Sequence, residues 1–350
     1  MAGLRLPLRA LSLPLFLSFS LCLALGSRWD RLLHVPLVDG MRTYDQASGD
    51  EEDEEESAPR PSRRGAPPAA GGAKTFQRLR KTPQACFAEY GFQNFNRDLL
   101  QIQFQVPRKT FEEYDASFGY SKEDVAAIDA WHDKARQGAY QFALKSKMGQ
   151  AQLDAAMTNL KRERDKKVKD YMADKGFKLM PGNVVEVDVP MMVKRNAPTL
   201  KNLALSFDKI AEGRSYDSEN LIGAVTSMVQ TAVHYRIPPP LQGKKHTGGL
   251  LPPMTVIVDG WGDCDTKTLL LSSILANWPH MRMVGIAVPH HYLMGILRIP
   301  NKGDVFVEYE GLQYVLIEPA GPAWLPPGQV GLDTIPMLQA SEGYKIQPFF

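Results

Sequence analysis

The chain has 350 residues, of which 44% are hydrophobic and 23% are charged, a composition typical of a globular protein with an ample core. The formal net charge is +2, and two arginines of the N-terminal segment contribute to it, so the rest of the chain is close to neutral. Bulk electrostatic attraction to nucleic acid is therefore excluded, and no nucleic-acid partner is expected.

Residues 1–26 have the features of a secretory signal peptide. Arg5 and Arg9 precede an apolar segment from Leu11 to Leu25, and small residues at Ala24 and Gly26 suit cleavage. The apolar segment is a little short of the roughly 20 residues that a membrane span needs, so cleavage is preferred over a retained signal anchor. We expect an exported protein, periplasmic or secreted, without a membrane span after signal removal.

Residues 27–74 have the composition of a disordered linker. An unbroken acidic run from Asp50 to Glu56 is followed by a stretch rich in Pro, Gly, Ala and Arg. Such a segment buries too little apolar surface to fold, so we interpret it as a flexible spacer.

Residues 75–215 are predicted to form a mainly helical region with short strands. The periodicity of apolar residues predicts strands over 101–107 and 184–189, and helices over 121–147, 151–175 and 197–210. The second helix contains the basic run from Lys161 to Asp170, in which Glu163 and Asp165 alternate with the basic residues. We interpret this run as a solvent-exposed helix face with salt bridges.

The last region, residues 216–350, contains the stretch with the clearest chemical signal. After an apolar helix predicted to end at Tyr235, a β-branched run leads to Gly260 and Gly262, and an apolar-periodic helix then begins at Cys264. Asp263 can cap this helix. The unpaired N–H groups and the positive end of the helix dipole favour a thiolate at Cys264, which suits a nucleophile.

Two later stretches supply partners for this cysteine. Residues 283–299 are predicted to form two strands, with histidines at the start of the second, and a strand over 313–317 ends in Glu318. A cysteine on a helix, a histidine on a strand and an acid on the next strand make a nucleophile, a base and an orienting group.

These motifs resemble the transglutaminase-like superfamily, which has a papain-type Cys-His-Asp/Glu core, and most of all its bacterial transglutaminase-like cysteine proteinases. The likeness rests on residues 262–267 (GDCDTK), 291–295 (HYLMG) and 316–319 (LIEP), and it covers about Tyr216 to Gly331. It implies an α+β domain in which the helix carrying the cysteine packs on an antiparallel sheet. By the same resemblance, Cys264 is the nucleophile, His291 the base and Glu318 the orienting acid.

Several positions around this trio stay open at the level of sequence. Adjacent residues of a strand point to opposite faces, so one of the two histidines faces Cys264, and His291 is preferred over His290. The backbone N–H of Cys264 is one expected oxyanion donor. Trp261, Tyr235 and His290 are candidates for the second donor or for substrate contact. Trp261 and Tyr235 are also explained as core residues, and His290 as an outward-facing or structural residue.

No cofactor is required by this chemistry, and calcium is the one metal that the sequence suggests. Asp263 and Asp265 flank the nucleophile and are candidate calcium ligands, although helix capping and the helix dipole also explain them. Zinc is disfavoured because no Cys-x-x-Cys pair is present. Cys86 and Cys264 are interpreted as free thiols.

We therefore expect an exported thiol enzyme that acts on a protein or peptide substrate. It would hydrolyse amides, as a cysteine peptidase does, or transfer acyl groups through a Cys264 thioester. The alternative is a catalytically inactive transglutaminase-like module that binds a protein or an envelope component as a scaffold. A lowered pKa of the Cys264 thiol would favour the enzyme.

Overall fold

A computed structural model describes residues 42–43, 75–340 and 343–349. The predicted signal peptide (1–26) lies outside these residues, as does nearly all of the predicted linker (27–74). Within the described residues, no helix combines the length and the apolar character needed to cross a bilayer.

Strands and helices are interspersed along the described chain, and several strands or helices follow one another directly. The strands are β1 (Arg42–Thr43), β2 (Phe76–Lys81), β3 (Ala85–Gln93), β4 (Leu99–Pro107), β5 (Tyr120–Ser121), β6 (Phe177–Met180), β7 (Val184–Val187), β8 (His234–Tyr235), β9 (Leu241–Gln242), β10 (Lys245–His246), β11 (Trp261–Gly262), β12 (Met283–Val288), β13 (His291–Leu297), β14 (Phe306–Tyr309), β15 (Leu312–Ile317) and β16 (Lys345–Pro348). The helices are α1 (Arg108–Ser117), α2 (Lys122–Ser146), α3 (Gln150–Asp174), α4 (Val189–Asn196), α5 (Lys201–Arg214), α6 (Ser218–Thr231), α7 (Pro253–Asp259), α8 (Cys264–Leu275) and α9 (Thr334–Leu338), with 3₁₀ turns at Pro181–Asn183 and Ala197–Leu200. The fold class is α+β, as predicted.

The chain divides into two compact units. Of the described residues, the first comprises 42–43, 120–186 and 243–245, and the second comprises 75–119, 187–242, 246–340 and 343–349. Residues 75–119 and 187–215, which the sequence analysis assigned to a region before position 216, therefore lie in the same unit as the cysteine and histidine motifs.

The first unit is built on the long helices α2 and α3, which pack through small and apolar side chains around Ala139, Ala143 and Leu160. Ser121 caps α2 by accepting a hydrogen bond from the Asp124 N–H, as its Ser-x-x-acid start indicates. The exposed face of α3 carries the i,i+4 ion pairs Lys161–Asp165, Lys166–Asp170 and Lys167–Glu163. The predicted salt-bridged helix face is confirmed.

The second unit contains two antiparallel sheets. One has the strand order β2-β3-β4, and the other has the order β14-β15-β13-β12-β16. Residues 76–107 thus contribute more strand than predicted. Strand β4 buries every second side chain, and β3, the central strand of the three, is buried along most of its length.

Helix α8 lies at the centre of the second unit. It packs against α4, α6, α7 and strand β13, and every residue from Thr266 to Leu275 is buried. The apolar period of this helix predicts one buried face, but a helix enclosed on all sides needs no polar face. The amino end of α8, which carries Cys264, is the part that reaches the partly exposed surface.

Candidate active site

The turn before Cys264 is fixed by a glycine and a capping aspartate. Gly260 ends α7 in the left-handed conformation with φ 78°, which a residue with a Cβ rarely adopts. Strand β11 then pairs in parallel with β8, and Asp263 accepts a hydrogen bond from the Thr266 N–H at 3.1 Å. The predicted start of the helix at Cys264 and its predicted cap are confirmed.

The Cys264 sulfur contacts two neighbouring groups. The thiol donates to Asp265 Oδ1 at 3.3 Å, and the backbone N–H of Tyr292 donates to the sulfur. Burial raises the pKa of the Cys264 thiol well above its usual value, and the negative charges of Asp265 and Asp263 raise it further. The expectation of a lowered thiol pKa is therefore wrong, since burial and two carboxylates outweigh the helix dipole.

His291 and Glu318 form a direct pair. The Nε2–H of His291 donates to both carboxylate oxygens of Glu318, at 2.8 and 3.1 Å. Burial alone would lower the pKa of His291, but the hydrogen bond and charge of Glu318, together with the charge of Asp265, raise it above its usual value. Glu318 thus orients the ring and stabilises its protonated form.

Glu318 is held firmly in its own place. Its carboxylate, 4% exposed, also accepts hydrogen bonds from the Ala320 N–H at 3.1 Å and from the Thr334 hydroxyl at 3.2 Å. Its backbone carbonyl accepts one from the Gln230 side chain. Because these donors come from separate elements, the carboxylate direction is over-determined.

Cys264 and His291 are brought close through the residue that follows the histidine. The Thr268 hydroxyl of α8 donates to the Tyr292 carbonyl at 3.0 Å, while the Tyr292 N–H reaches the sulfur. Among the described residues, the Cys264 sulfur and the His291 ring are not joined by a hydrogen bond. Both side-chain hydrogen bonds of His291 use Nε2, and its other ring nitrogen, Nδ1, has no hydrogen-bond partner within the described residues.

The other predicted positions lie around this trio with different surroundings. His290 is exposed in the turn before β13, with φ 58°, so it is outside the strand and the argument from alternating faces does not apply to it. The Trp261 ring lies under the Arg236 guanidinium, 4.6 Å from the ring centroid. Tyr235 is 45% exposed in β8, not at the end of the helix before it.

The pKa of the Tyr235 hydroxyl is affected by the charged groups of the site. Burial raises the pKa of its hydroxyl to about 12, and Cys264, Asp263, Asp265 and Glu318 raise it as well. The hydroxyl therefore stays protonated over the physiological range and can donate a hydrogen bond. Tyr235 thus has the chemistry of an oxyanion donor, which remains a prediction.

The flanking aspartates have roles that do not involve a metal. Asp263 caps α8 and Asp265 accepts from the thiol. Among the residues that the structure describes, no group of three or more His, Cys, Asp or Glu side chains could hold a metal ion. Calcium binding at Asp263 and Asp265 stays a prediction. Cys86 and Cys264 are both free thiols, as predicted.

Sequence reasoning missed Lys267 and Thr334. Lys267, in the first turns of α8, is fully buried, and burial lowers its pKa to about 7 although the charge of Glu318 raises it. The available signal was a lysine one turn after Cys264 and one turn before Leu270 and Leu271. Thr334, which donates to Glu318, carried no sequence signal because it lies in a separate short helix.

No protein-family model, curated protein or solved structure matches this chain at a significant level.

Proposed function

We propose that this protein is a thiol enzyme with a transglutaminase-like core that hydrolyses amides, or transfers acyl groups, through a Cys264 thioester. The observation that carries the proposal is the His291–Glu318 pair: the carboxylate takes Nε2, so Nδ1 remains to act as the base. A buried acid that fixes the ring in this way is the arrangement that a cysteine nucleophile needs.

The chemistry follows from these atoms. His291 Nδ1 accepts the thiol proton as the Cys264 sulfur attacks the carbonyl carbon of the amide. The backbone N–H of Cys264 stabilises the oxyanion, with Tyr235 or Trp261 as the candidate second donor. His291 then returns the proton to the leaving amine, and a thioester remains. Water attacks the thioester in hydrolysis, and an amine attacks it in acyl transfer.

The raised thiol pKa specifies how the first step must proceed. Because the resting sulfur is a neutral thiol, no preformed thiolate attacks, and proton transfer to His291 must accompany bond formation. Asp265 holds the thiol hydrogen before substrate arrives, so the sulfur must turn from Asp265 towards the ring.

Export and substrate class belong to the same proposal. A signal peptide at residues 1–26 would place the enzyme in the periplasm or outside the cell, and a protein or peptide would be its substrate. These residues lie outside the described part of the chain, so the support for export comes from the sequence pattern alone.

The test uses an amide-mimicking thiol probe such as iodoacetamide on the full chain, with Cys22→Ser present in every variant so that the third cysteine of the sequence cannot be labelled. Labelling should occur at Cys264, should disappear in Cys264→Ala and should persist in the matched control Cys86→Ala, because Cys86 is fully buried. His291→Ala should slow labelling about tenfold or more at neutral pH, since it removes the base. Labelling of Cys264→Ala at the natural rate would refute the proposal.

A second candidate function is an inactive module that binds a protein or an envelope component. The observation that favours it is that the thiol donates to Asp265 and not to His291, with a raised pKa. For such a module, labelling of Cys264 should be equally slow with and without the His291 ring. That result would favour binding over catalysis.

A further inference from the structure

Lys267 is the most unusual charged residue in the core of the second unit. Its side chain is 0% exposed, and its Nζ atom has no hydrogen-bond partner within the described residues. Its helical neighbours Leu270 and Leu271 are equally buried. Lysine is almost never fully buried without a partner, so this position calls for a physical explanation.

The place of Lys267 connects it with the candidate active site. It follows Cys264 by three residues on α8, so the two side chains are neighbours along one side of the helix. The next residue, Thr268, donates to the Tyr292 carbonyl of β13, and Glu318 bonds to His291, the residue before Tyr292, from the end of the neighbouring strand β15. Lys267 and Glu318 therefore approach the start of β13 from two sides, and the charge of Glu318 acts on the amino group. The carboxylate of Glu318 thus has two basic neighbours, the His291 ring through hydrogen bonds and Lys267 through charge.

Burial makes this arrangement energetically significant. An ammonium group removed from water without hydrogen bonds loses solvation that an apolar surrounding does not replace. The attraction of the Glu318 carboxylate offsets part of that loss. Lys267 affects Glu318 in turn, because in a low-dielectric interior a positive charge on its amino group acts on the carboxylate with little screening.

We propose that Lys267 is a positioning residue of this site: its buried amino group sets how much uncompensated negative charge Glu318 presents to the His291 ring. When Lys267 carries its proton, the carboxylate is partly neutralised and binds the imidazolium less tightly. His291 then stays neutral and able to accept the thiol proton. The base role of His291 is part of the proposed function, whereas the effect on its protonation is independent of catalysis.

The charged groups that bear on this effect are few. Glu318 and Asp265 act on the His291 ring, and both raise its pKa. Of these two, Glu318 is the one whose charge also acts on Lys267. A change at Lys267 should therefore reach His291 through Glu318 and leave the contribution of Asp265 as it is.

The experiment follows the His291 ring by NMR titration in full-length Lys267→Met, which keeps the length of the side chain and removes the amino group. The expected result is an upward shift of the His291 pKa by about one unit, a tenfold tighter proton. Ser273→Ala is the matched control, because Ser273 lies on the same helix, is fully buried and has an unpartnered hydroxyl. A Lys267→Met titration that superimposes on that of the natural chain would overturn the inference.

A second measurement serves if Lys267→Met does not fold. The Lys267 Cε resonance of the otherwise natural chain is titrated with and without Glu318→Gln. The carboxylate raises the proton affinity of Lys267, so its removal should move the lysine titration to lower pH. An unmoved titration would show that the two groups do not interact, and the inference would be wrong.

This result is distinguishable from failure of the proposed function. If Lys267→Met shifts the His291 titration but Cys264 does not react with the probe, the role of Lys267 is supported and the proposed enzymatic function is refuted. If Cys264 reacts in a His291-dependent way and Lys267→Met does not shift the His291 titration, the proposed function is supported and the role of Lys267 is refuted.

Discussion

Two opposing effects act on the pKa of the Cys264 thiol: the helix dipole lowers it, and burial raises it. A helix N-terminus stabilises a negative charge by about 0.3–1 kcal/mol at exposed sites and up to about 2 kcal/mol when partly buried. Burial shifts the pKa of a titratable group by up to about 3–5 units, each worth about 1.4 kcal/mol. Burial is the larger effect here, and Asp265 and Asp263 act in the same direction.

Removing the charge of Asp265 should therefore make Cys264 more reactive. In Asp265→Asn, the thiol loses the nearest negative charge, so its pKa should fall and its alkylation at neutral pH should rise about tenfold, one unit of pKa. The measurement is the rate of iodoacetamide labelling at Cys264 as a function of pH.

Asp263→Asn serves as the graded control for this prediction. Asp263 contributes less than Asp265 to the raised pKa, and it accepts from Thr266, not from the thiol. Its substitution should therefore increase labelling less than Asp265→Asn does. Equal pH profiles for the natural chain and Asp265→Asn would contradict the electrostatic explanation.

At the scale of the element, helix α8 depends on its cap. Asp263→Ala removes the side-chain acceptor for the Thr266 N–H and should lower the free energy of unfolding by about 1 kcal/mol. Asp263→Asn also loses the charge but keeps a capping oxygen, so it should cost far less. Urea denaturation of both variants measures the difference, and equal losses would mean that charge, not capping, is what matters at this position.

Helix α8 is also the element that links the site to the five-stranded sheet. Its packing on β13 and the Thr268–Tyr292 hydrogen bond bring the Cys264 sulfur to the start of the strand that carries His291. Glu318 reaches the same ring because β15 pairs with β13 and ends at Ile317 opposite Met294. The site therefore depends on strand register, in which a slip of one residue would reverse the faces.

At the scale of the whole molecule, Lys267 should make stability depend on pH. Its pKa falls from 10.5 to about 7 on folding, so between these values the unfolded chain binds a proton that the folded chain has released. Stability contributed by this group therefore rises with pH, by up to about 1.4 kcal/mol per unit, and is constant below about pH 7.

The comparison of Lys267→Met with the natural chain isolates this contribution. Urea unfolding is measured between pH 7 and pH 9, below the range in which the tyrosines titrate. The thiols of the unfolded chain begin to titrate in this range, but they do so equally in both proteins, so their contribution cancels in the comparison. The natural chain should gain stability relative to Lys267→Met as the pH rises, and Ser273→Ala should keep the natural slope. Parallel slopes for the natural chain and Lys267→Met would show that Lys267 keeps its ordinary pKa in the folded state.

The local features of the site were predictable because they depend on neighbouring residues. Asp263 caps α8 through a residue three positions away, and the strands that carry His291 and precede Glu318 follow from apolar runs with turn residues between them. Helix α4 was missed, because Pro190 and two methionines give a short apolar segment without a clear period. The turn at His290 was missed because its φ is set by the β12–β13 hairpin.

The amino-acid sequence by itself determined the α+β class, the start of the helix at Cys264 and the order of cysteine, histidine and acid along the chain. Only the tertiary structure decided that Glu318 bonds to His291, that the thiol faces Asp265 and that Lys267 is sealed in the core. The physical reason is one of range: capping and periodicity act over a few residues, whereas burial and unscreened charge depend on side chains that folding brings from distant parts of the chain.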